Sequence, residues 1–342
     1  MRKIRVAQIG TSANSHGNDI FANMLQQPDL FDVVGYAMPE REAERFPARM
    51  NRFEGHREMN VEEILQDPTI EAVTVETEEL YLTKYALMAA EHGKHIHMEK
   101  PGGCDPVLFE KLIRTVKKNG TVFHTGYMYR YNPAVMQLME EIRRGEFGEI
   151  ISVEAQMNCI HNPDVRNWLG QYPGGMMFYL GCHLVDLILQ IQGEPNSIIP
   201  LNRRSGLNGC AGEDFGMAVF TYDRGVSFAK TSAVEIGGYA RRQLVVSGTK
   251  KTVELKPFER SAGVPGPVLF TESTAYTVGS WADNGTAVRS ENYNRYTAMM
   301  AGFAAMCRGD RQNPWTPAYE LSLYRTVLRA CGAEIRGHET DL

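Results

Sequence analysis

The first third of the chain alternates short apolar runs with segments whose apolar residues recur at helical spacing. Ile4 to Ile9 is an apolar strand that stops at Gly10. Asp19 to Gln27 has a helical pattern that ends near Pro28. Strands follow at Val33–Ala37, Ala72–Val75, His95–Met98 and Val122–Thr125. Helical patterns lie between them at Glu40–Met50, Val61–Gln66, Thr83–His92 and Pro106–Lys118. Gly93 stands just past one helix and Pro106 opens another, the usual places for these residues. Strands separated by helices of about ten residues imply βαβ units, a parallel sheet and right-handed connections.

After about residue 126 the pattern changes. A helix is expected over Pro133–Arg144, stopped by Gly145. Alternating apolar and polar residues then mark strands at Ile150–Met157, Gly216–Tyr222, Val226–Ala233, Gln243–Ser247 and Thr252–Leu255. Turn-rich Tyr222-Asp223-Arg224-Gly225 and Ser247-Gly248-Thr249-Lys250 join neighbours, so this sheet is mainly antiparallel. Residues 256–290, rich in Gly, Pro and Ser, read as long loops, and helices at 292–308 and 317–335 close the chain. The expected division is a Rossmann-type α/β domain over 1–126 and an α+β domain with a large antiparallel sheet over 127–342.

The 342 residues are enough for two domains. With 43% hydrophobic and 23% charged residues, the composition excludes disordered, fibrous and coiled-coil chains. No apolar run reaches the ~20 residues of a membrane helix. A net charge of −5 without long like-charge runs argues against nucleic acid or a membrane as partner. Six scattered cysteines without a CxxC pair suit reduced thiols, and the expected location is the cytoplasm.

The turn after the first strand is where a dinucleotide pyrophosphate meets a helix N-terminus. Here it reads Gly10-Thr11-Ser12-Ala13-Asn14-Ser15-His16-Gly17, with only the first glycine of GxGxxG. Hydroxyls of Thr11, Ser12 and Ser15 can donate to phosphate, or the turn can cap its own helix. The acid expected after the second strand is Met38; Glu40 could hold a ribose diol, or Arg41 a 2′-phosphate. Lys100, in Glu99-Lys100-Pro101, follows the fourth strand at the edge where open α/β sheets bind ligands. Partly desolvated, such a lysine exchanges protons near neutral pH. His95, His97 and Glu99 alternate along that strand, yet no fourth ligand supports a metal site, and none is expected. On a continuous helix Tyr179, His183, Asp186 and Gln190 share one face, with His183 the natural proton carrier. His161, Asn162, Trp168 and Tyr172 precede that helix, and an aromatic among polar groups suits a sugar.

These residues, with Gly126 to Pro133, Arg144 to Ile150, Gly174-Gly175 and the closing Thr316-Pro317 helix, resemble the Gfo/Idh/MocA family of glucose–fructose oxidoreductase and inositol 2-dehydrogenase. The resemblance spans nearly the whole chain. It implies a nicotinamide cofactor, NAD or NADP with NAD favoured, and oxidation of a sugar or polyol hydroxyl or reduction of its ketone. It implies Lys100 and His183 as the catalytic lysine and histidine, and Arg130, Asn132 and Asp186 as pocket positions. Family members often form homodimers or homotetramers through the open face of the second sheet.

Three departures bear on the chemistry. Tyr179 stands where the family has Asp, so it joins Lys100 and His183 as a candidate acid or base. Thr77-Glu78-Glu79 replaces Thr-Pro-Asn, placing acids where they could repel phosphate or bind ribose; Thr77 and Glu78 become cofactor candidates. The glycine turn is altered. An NAD(P)-dependent dehydrogenase or reductase leads, ahead of a redox-neutral lyase or glycosidase and a non-enzymatic sugar or nucleotide sensor.

Overall fold

A computed structural model describes residues 2–264 and 267–333, which form two compact units. The first unit contains residues 2–127 and Tyr296–Tyr324. Its strands are β1 (Ile4–Ile9), β2 (Phe31–Ala37), β3 (Ala72–Val75), β4 (His95–Met98) and β5 (Phe123–Thr125). Among the described residues they make one parallel sheet in the order β2-β1-β3-β4-β5. Ile4, Val6, Ile9, Val73, Val75, Ile96 and Met98 are fully buried, as strands covered on both faces require.

Helices connect these strands: α1 (Gly17–Leu25), α2 (Glu42–Arg45), α3 (Val61–Gln66), α4 (Glu79–Glu91) and α5 (Pro106–Asn119). Asn60 and Glu63 form a reciprocal capping box at α3. The expected helix over Glu40–Met50 is broken. Arg41 is left-handed, α2 lasts four residues, and Phe46 is non-helical before Pro47 opens a 3₁₀ turn. The proline ring excludes the preceding residue from helical geometry.

The second unit contains Met128–Arg295 and residues 325–333. It holds helices α6 (Pro133–Arg143), α7 (Pro163–Trp168) and α8 (Cys182–Gln192). Its large sheet is built from β6 (Ile150–Asn158), β7 (Ser197–Pro200), β8 (Phe215–Thr221), β9 (Val226–Ser232), β10 (Gln243–Gly248) and β11 (Thr252–Leu255). A small sheet is built from β12 (Arg260–Ser261), β13 (Val268–Phe270) and β16 (Tyr293–Asn294), while β14 (Glu272–Tyr276) and β15 (Thr286–Arg289) extend the large one. The pairs are antiparallel except β6–β9. Residues 256–290, expected as long loops, therefore carry four short strands between their loops. Edge and near-edge strands need little apolar sequence, and their pairing is non-local.

The large sheet has one face on α8, where Val153, Ala155 and Met157 are buried. Alternate residues of β8, including Met217 and Val219, stay partly exposed on the other face.

The chain returns to the first unit through α9 (Thr297–Arg308) and the start of α10 (Pro317–Ala330). A boundary at 126 thus ends only the first pass through that unit. The last two residues of the expected 317–335 helix lie outside the described residues.

Candidate functional site

In the first unit, the chemistry collects at the carboxyl edge of the parallel sheet. Gly10 has φ +80°, and a Cβ there would lie 2.3 Å from Thr77 Cγ2 and 2.9 Å from Glu42 Oε1. The turn beyond it is knitted together by hydroxyls. Ser12 Oγ accepts from the N–H groups of Asn14 (3.4 Å) and Ser15 (3.0 Å). Ser15 Oγ accepts from those of Ser12 (3.0 Å) and Gly17 (3.3 Å). Only Ser15 reaches the first N–H of the helix, at Gly17, and Thr11 Oγ1 donates to the Asn18 side chain. Each serine oxygen has filled its acceptor positions, so its remaining capacity is to donate its O–H proton.

Glu99 closes this helix start. Its Oε2 accepts from His16 N at 3.0 Å and lies 2.8 Å from His16 Nδ1; its Oε1 accepts from Lys100 N at 2.9 Å. Lys100 Nζ is 3.9 Å from the same Oε1, and Lys100 is 1% exposed. Burial pushes the Glu99 carboxyl up, but His16 and Lys100 outweigh it and hold the group well below the usual carboxylate range. The Lys100–Pro101 peptide is cis.

Other acids nearby behave differently. Burial raises Glu42 and Glu79 to about 7, and raises Glu76 well above its ordinary value with Glu99 adding to the effect. Neither Glu76 oxygen has a hydrogen-bond partner among the described residues. His97 Nε2 is 3.5 Å from Glu76, and its Nδ1 is 2.8 Å from His124 Nδ1. Burial lowers His97 to about 4. Glu78 is paired with Arg45. The acids that could have repelled a phosphate are thus largely neutralised by a cation or by burial. His95 Nδ1 accepts from Val122 N, so His95, His97 and Glu99 serve three separate partners. No group of three His, Cys, Asp or Glu among the described residues is placed to hold a metal ion.

A cavity of about 550 Å³ opens beyond β2, lined by Met38, Pro39, Met59, Lys84, Tyr85 and Met88 among others. At its edge Glu40 accepts from Tyr85 Oη (2.6 Å) and Lys84 Nζ (2.9 Å). Burial raises the Glu40 carboxyl, yet these two donors bring it below its ordinary value. Arg41 instead pairs with Glu44 at the surface.

In the second unit, His183 is 1% exposed and meets the Tyr129 ring edge-to-face at 5.0 Å. Tyr129 Oη donates to Glu259 Oε2 at 2.7 Å, and Arg295 clamps the same carboxylate at 2.6 and 3.0 Å. Arg130 forks onto Asp186 at 2.8–3.2 Å, with Gln190 adding a bond of 2.9 Å. Asn132 caps α6 and donates to Thr271 and Tyr293.

The predicted shared face with Tyr179 changes form. Met177–Gly181 is one wide π turn before α8, which shifts the angular register of Tyr179 against His183. Tyr179 meets Trp168 edge-to-face at 5.2 Å and lies 6.1 Å from His161. Trp168 also meets Tyr172, which stacks on Phe178. Trp168 Nε1 and His161 Nε2 are enclosed without a hydrogen-bond partner among the described residues. Asn162 caps α7.

His16, Glu42, Glu76 and Tyr129 were not singled out by the sequence. Glu76 directly follows an apolar parallel strand, a position that could have drawn notice. Glu42 was hidden inside a supposed helix.

Residues 4–127 match an oxidoreductase family with an NAD-binding Rossmann fold, and residues 135–254 match the GFO/IDH/MocA C-terminal domain. An uncharacterised oxidoreductase of Rhizobium meliloti, ORF334, is 26% identical over 75% of this chain and 76% of its own length. The scyllo-inositol 2-dehydrogenase (NADP(+)) IolW of Bacillus subtilis is 26% identical over 40% of this chain and 39% of its own. The chain thus matches well under two thirds of that curated relative. Levoglucosan dehydrogenase, solved with NADH and levoglucosan, shares the fold with a TM-score of 0.76 at 18% identity, covering 97% of this chain and 98% of its own. No helix among the described residues is long and apolar enough to cross a membrane.

Proposed function

The chain belongs to the Gfo/Idh/MocA family of oxidoreductases, and from that premise we propose that it moves a hydride between a nicotinamide dinucleotide and a ring carbon of a sugar, sugar acid or cyclitol. The observation that carries this reading is Lys100, a lysine buried at the carboxyl edge of the sheet beside Glu99. Charge on a buried lysine is expensive, and its placement at a ligand-binding edge marks it for chemistry.

The dinucleotide fits the residues present. The apolar cavity beyond β2 suits adenine, and the tethered Glu40 carboxylate suits the ribose diol. Ser12 and Ser15 retain O–H donors for the pyrophosphate, and Gly10 lets the turn pass close against Thr77 and Glu42. The Glu40 carboxylate at this edge would repel a 2′-phosphate, which supports NAD over NADP. Thr77, which lies against Gly10, Asn14 in the turn and Glu78 are assigned supporting roles.

When bound, the cofactor accepts or supplies the hydride. Lys100 takes the carbinol proton during oxidation and returns it during reduction. His183 is assigned the second proton-handling role, with Tyr129 fixing its ring and Arg130–Asp186 securing its helix. His161, Trp168, Tyr172 and Tyr179 offer aromatic faces and enclosed donors to a sugar. The same reading carries a carbohydrate or polyol substrate and a homodimer or homotetramer through the partly apolar open face of the large sheet.

The test is purified protein with NAD or NADP and a panel of sugars, sugar acids and cyclitols, followed by NADH or NADPH absorbance. Turnover abolished by Lys100→Met supports the assignment. Wild-type turnover in that variant refutes the role of Lys100, and silence across the panel refutes the substrate class.

A further inference from the structure

In the second unit, buried Arg130 faces Asp186 and buried Arg166 faces Asp214. Arg242 is not matched in this way. Its side chain is 9% exposed, and the oxygens it meets among the described residues are all distant: Asn158 O at 3.3 Å, Tyr129 Oη at 3.4 Å and Glu259 Oε2 at 3.8 Å. Glu259 is already held by Arg295 at 2.6 and 3.0 Å and accepts from Tyr129 at 2.7 Å. The Tyr239 ring, 4.7 Å away, supports the Arg242 guanidinium but brings no full charge. Two guanidiniums thus share one carboxylate, and one positive charge is left over. A buried cation in that state is costly unless an anion joins it. We propose that Arg242 binds the carboxylate of the substrate, which makes the substrate a ring-form sugar acid. The proposal rests on the hydride-transfer reading above and narrows its substrate class.

The position suits a reacting ring. Tyr129 links the two groups: its hydroxyl is 3.4 Å from Arg242, and its ring meets His183 edge-to-face at 5.0 Å. A single pyranose can therefore turn a hydroxyl-bearing carbon towards His183 and its carboxylate towards Arg242. The neighbours offer donors. Trp168 Nε1 can only donate, and both it and His161 Nε2 are enclosed without a hydrogen-bond partner among the described residues. The two rings flank Tyr179, at 5.2 and 6.1 Å. Burial, with the Arg242 charge adding to it, lowers the His161 pKa, so that ring is mostly neutral at pH 7 and adds little charge.

The charge left over selects among anions. Glu235, on the loop beside Cys159, is engaged by Lys230 and Arg241 and does not compensate Arg242. One surplus positive charge matches a monoanion. A phosphate, with about two negative charges near neutral pH, exceeds it, and Glu259 stands close enough to repel the excess. A planar carboxylate also fits the guanidinium fork through two parallel N–H bonds.

The test sets acids against neutral sugars of the same size. Wild-type protein with saturating NAD is assayed on D-glucuronate and D-galacturonate, and on D-glucuronamide, D-glucose and D-glucose 6-phosphate. The expected kcat/KM for one of the uronates is about hundredfold above that for the neutral sugars, as a charge-assisted pair contributes. In Arg242→Gln that ratio collapses through KM rather than kcat, and Arg242→Lys recovers part of it. A wild type that prefers a neutral sugar or the phosphate, or a ratio unchanged in Arg242→Gln, overturns the proposal. Calorimetry on the wild type with NADH needs no turnover. There a uronate should bind more tightly than D-glucuronamide by the same factor, and equal or absent binding overturns the subsite. These wild-type comparisons decide the matter even if a variant does not fold. Turnover of neutral sugars alone refutes the subsite and leaves the proposed function standing. Uronate binding without turnover of any sugar refutes hydride transfer and leaves the subsite standing.

Discussion

The two units bury charge in opposite ways. In the second, buried cations meet buried carboxylates, Arg130 with Asp186 at 2.8 Å and Arg166 with Asp214 at 3.3 Å, and the half-buried Arg295 holds the buried Glu259 at 2.6 Å. In the first, Glu42, Glu76, Glu79 and Glu99 are all buried along one sheet edge with Lys100. Matched pairs hold a framework in place at modest net gain. Several acids around one lysine are a liability for stability, and such perturbed groups collect where protons are moved. The difference separates the unit's scaffold from its chemistry without reference to any relative.

Removing the lysine tests that division most severely. Lys100→Met is expected to lower kcat by two to four orders of magnitude, the range for loss of a general acid–base group. Circular dichroism should stay that of the wild type.

The second unit should respond through stability instead. Asp186→Ala leaves the Arg130 guanidinium buried without its carboxylate, a loss of about 3–5 kcal/mol in denaturant unfolding. If Asp186→Ala proves as stable as wild type, the contrast between the units fails.

Glu42→Gln sharpens the comparison through pH. The folded-state value of Glu42 is raised from 4.5 to about 7, so its contribution is fully present below 4.5 and is lost as pH rises through about 7. The glutamine keeps an acceptor for Glu40 N but carries no charge. Thermal melts should show the variant several degrees more stable than wild type at pH 8 and level with it at pH 4.5. His97, lowered to about 4, works in the other direction, losing stability as pH falls from 6.5 towards 4.

The smallest effect concerns cofactor choice. Glu40→Gln should weaken NADH by about tenfold, the worth of a hydrogen bond to a charged group, and narrow the preference over NADPH. Fluorescence titration with both nucleotides measures it.

The parallel sheet was legible because its strands are continuous apolar runs between helices of regular period. Pro47 carried a signal that was passed over: a helix cannot run through Phe46 into it. Other features left no local trace. The π turn at Met177–Gly181 adds a residue to one turn without any required residue type, and so moved Tyr179 away from its predicted alignment. The strands within 256–290 depend on partners far along the chain, as Glu272 opposite Arg289 and Ser273 opposite Leu255 show. Lys100, His183 and Glu99 could be picked out by position. The upward shift of Glu42 and Glu79 to about 7 could not, since it is set by whatever the rest of the unit packs over them.

The return of Tyr296–Tyr324 to the first unit has a consequence for the order in which the protein is made. Phe303 stacks on His124, Thr125 donates to Glu320 across 195 residues, and Tyr324 donates to Gly103 across 221. During synthesis the sheet bearing Lys100 therefore waits, with β5 uncovered, until almost all of the second unit has left the ribosome. Long-range closure of this kind is slow. The first unit thus begins before the second and is closed only after most of the second has been made.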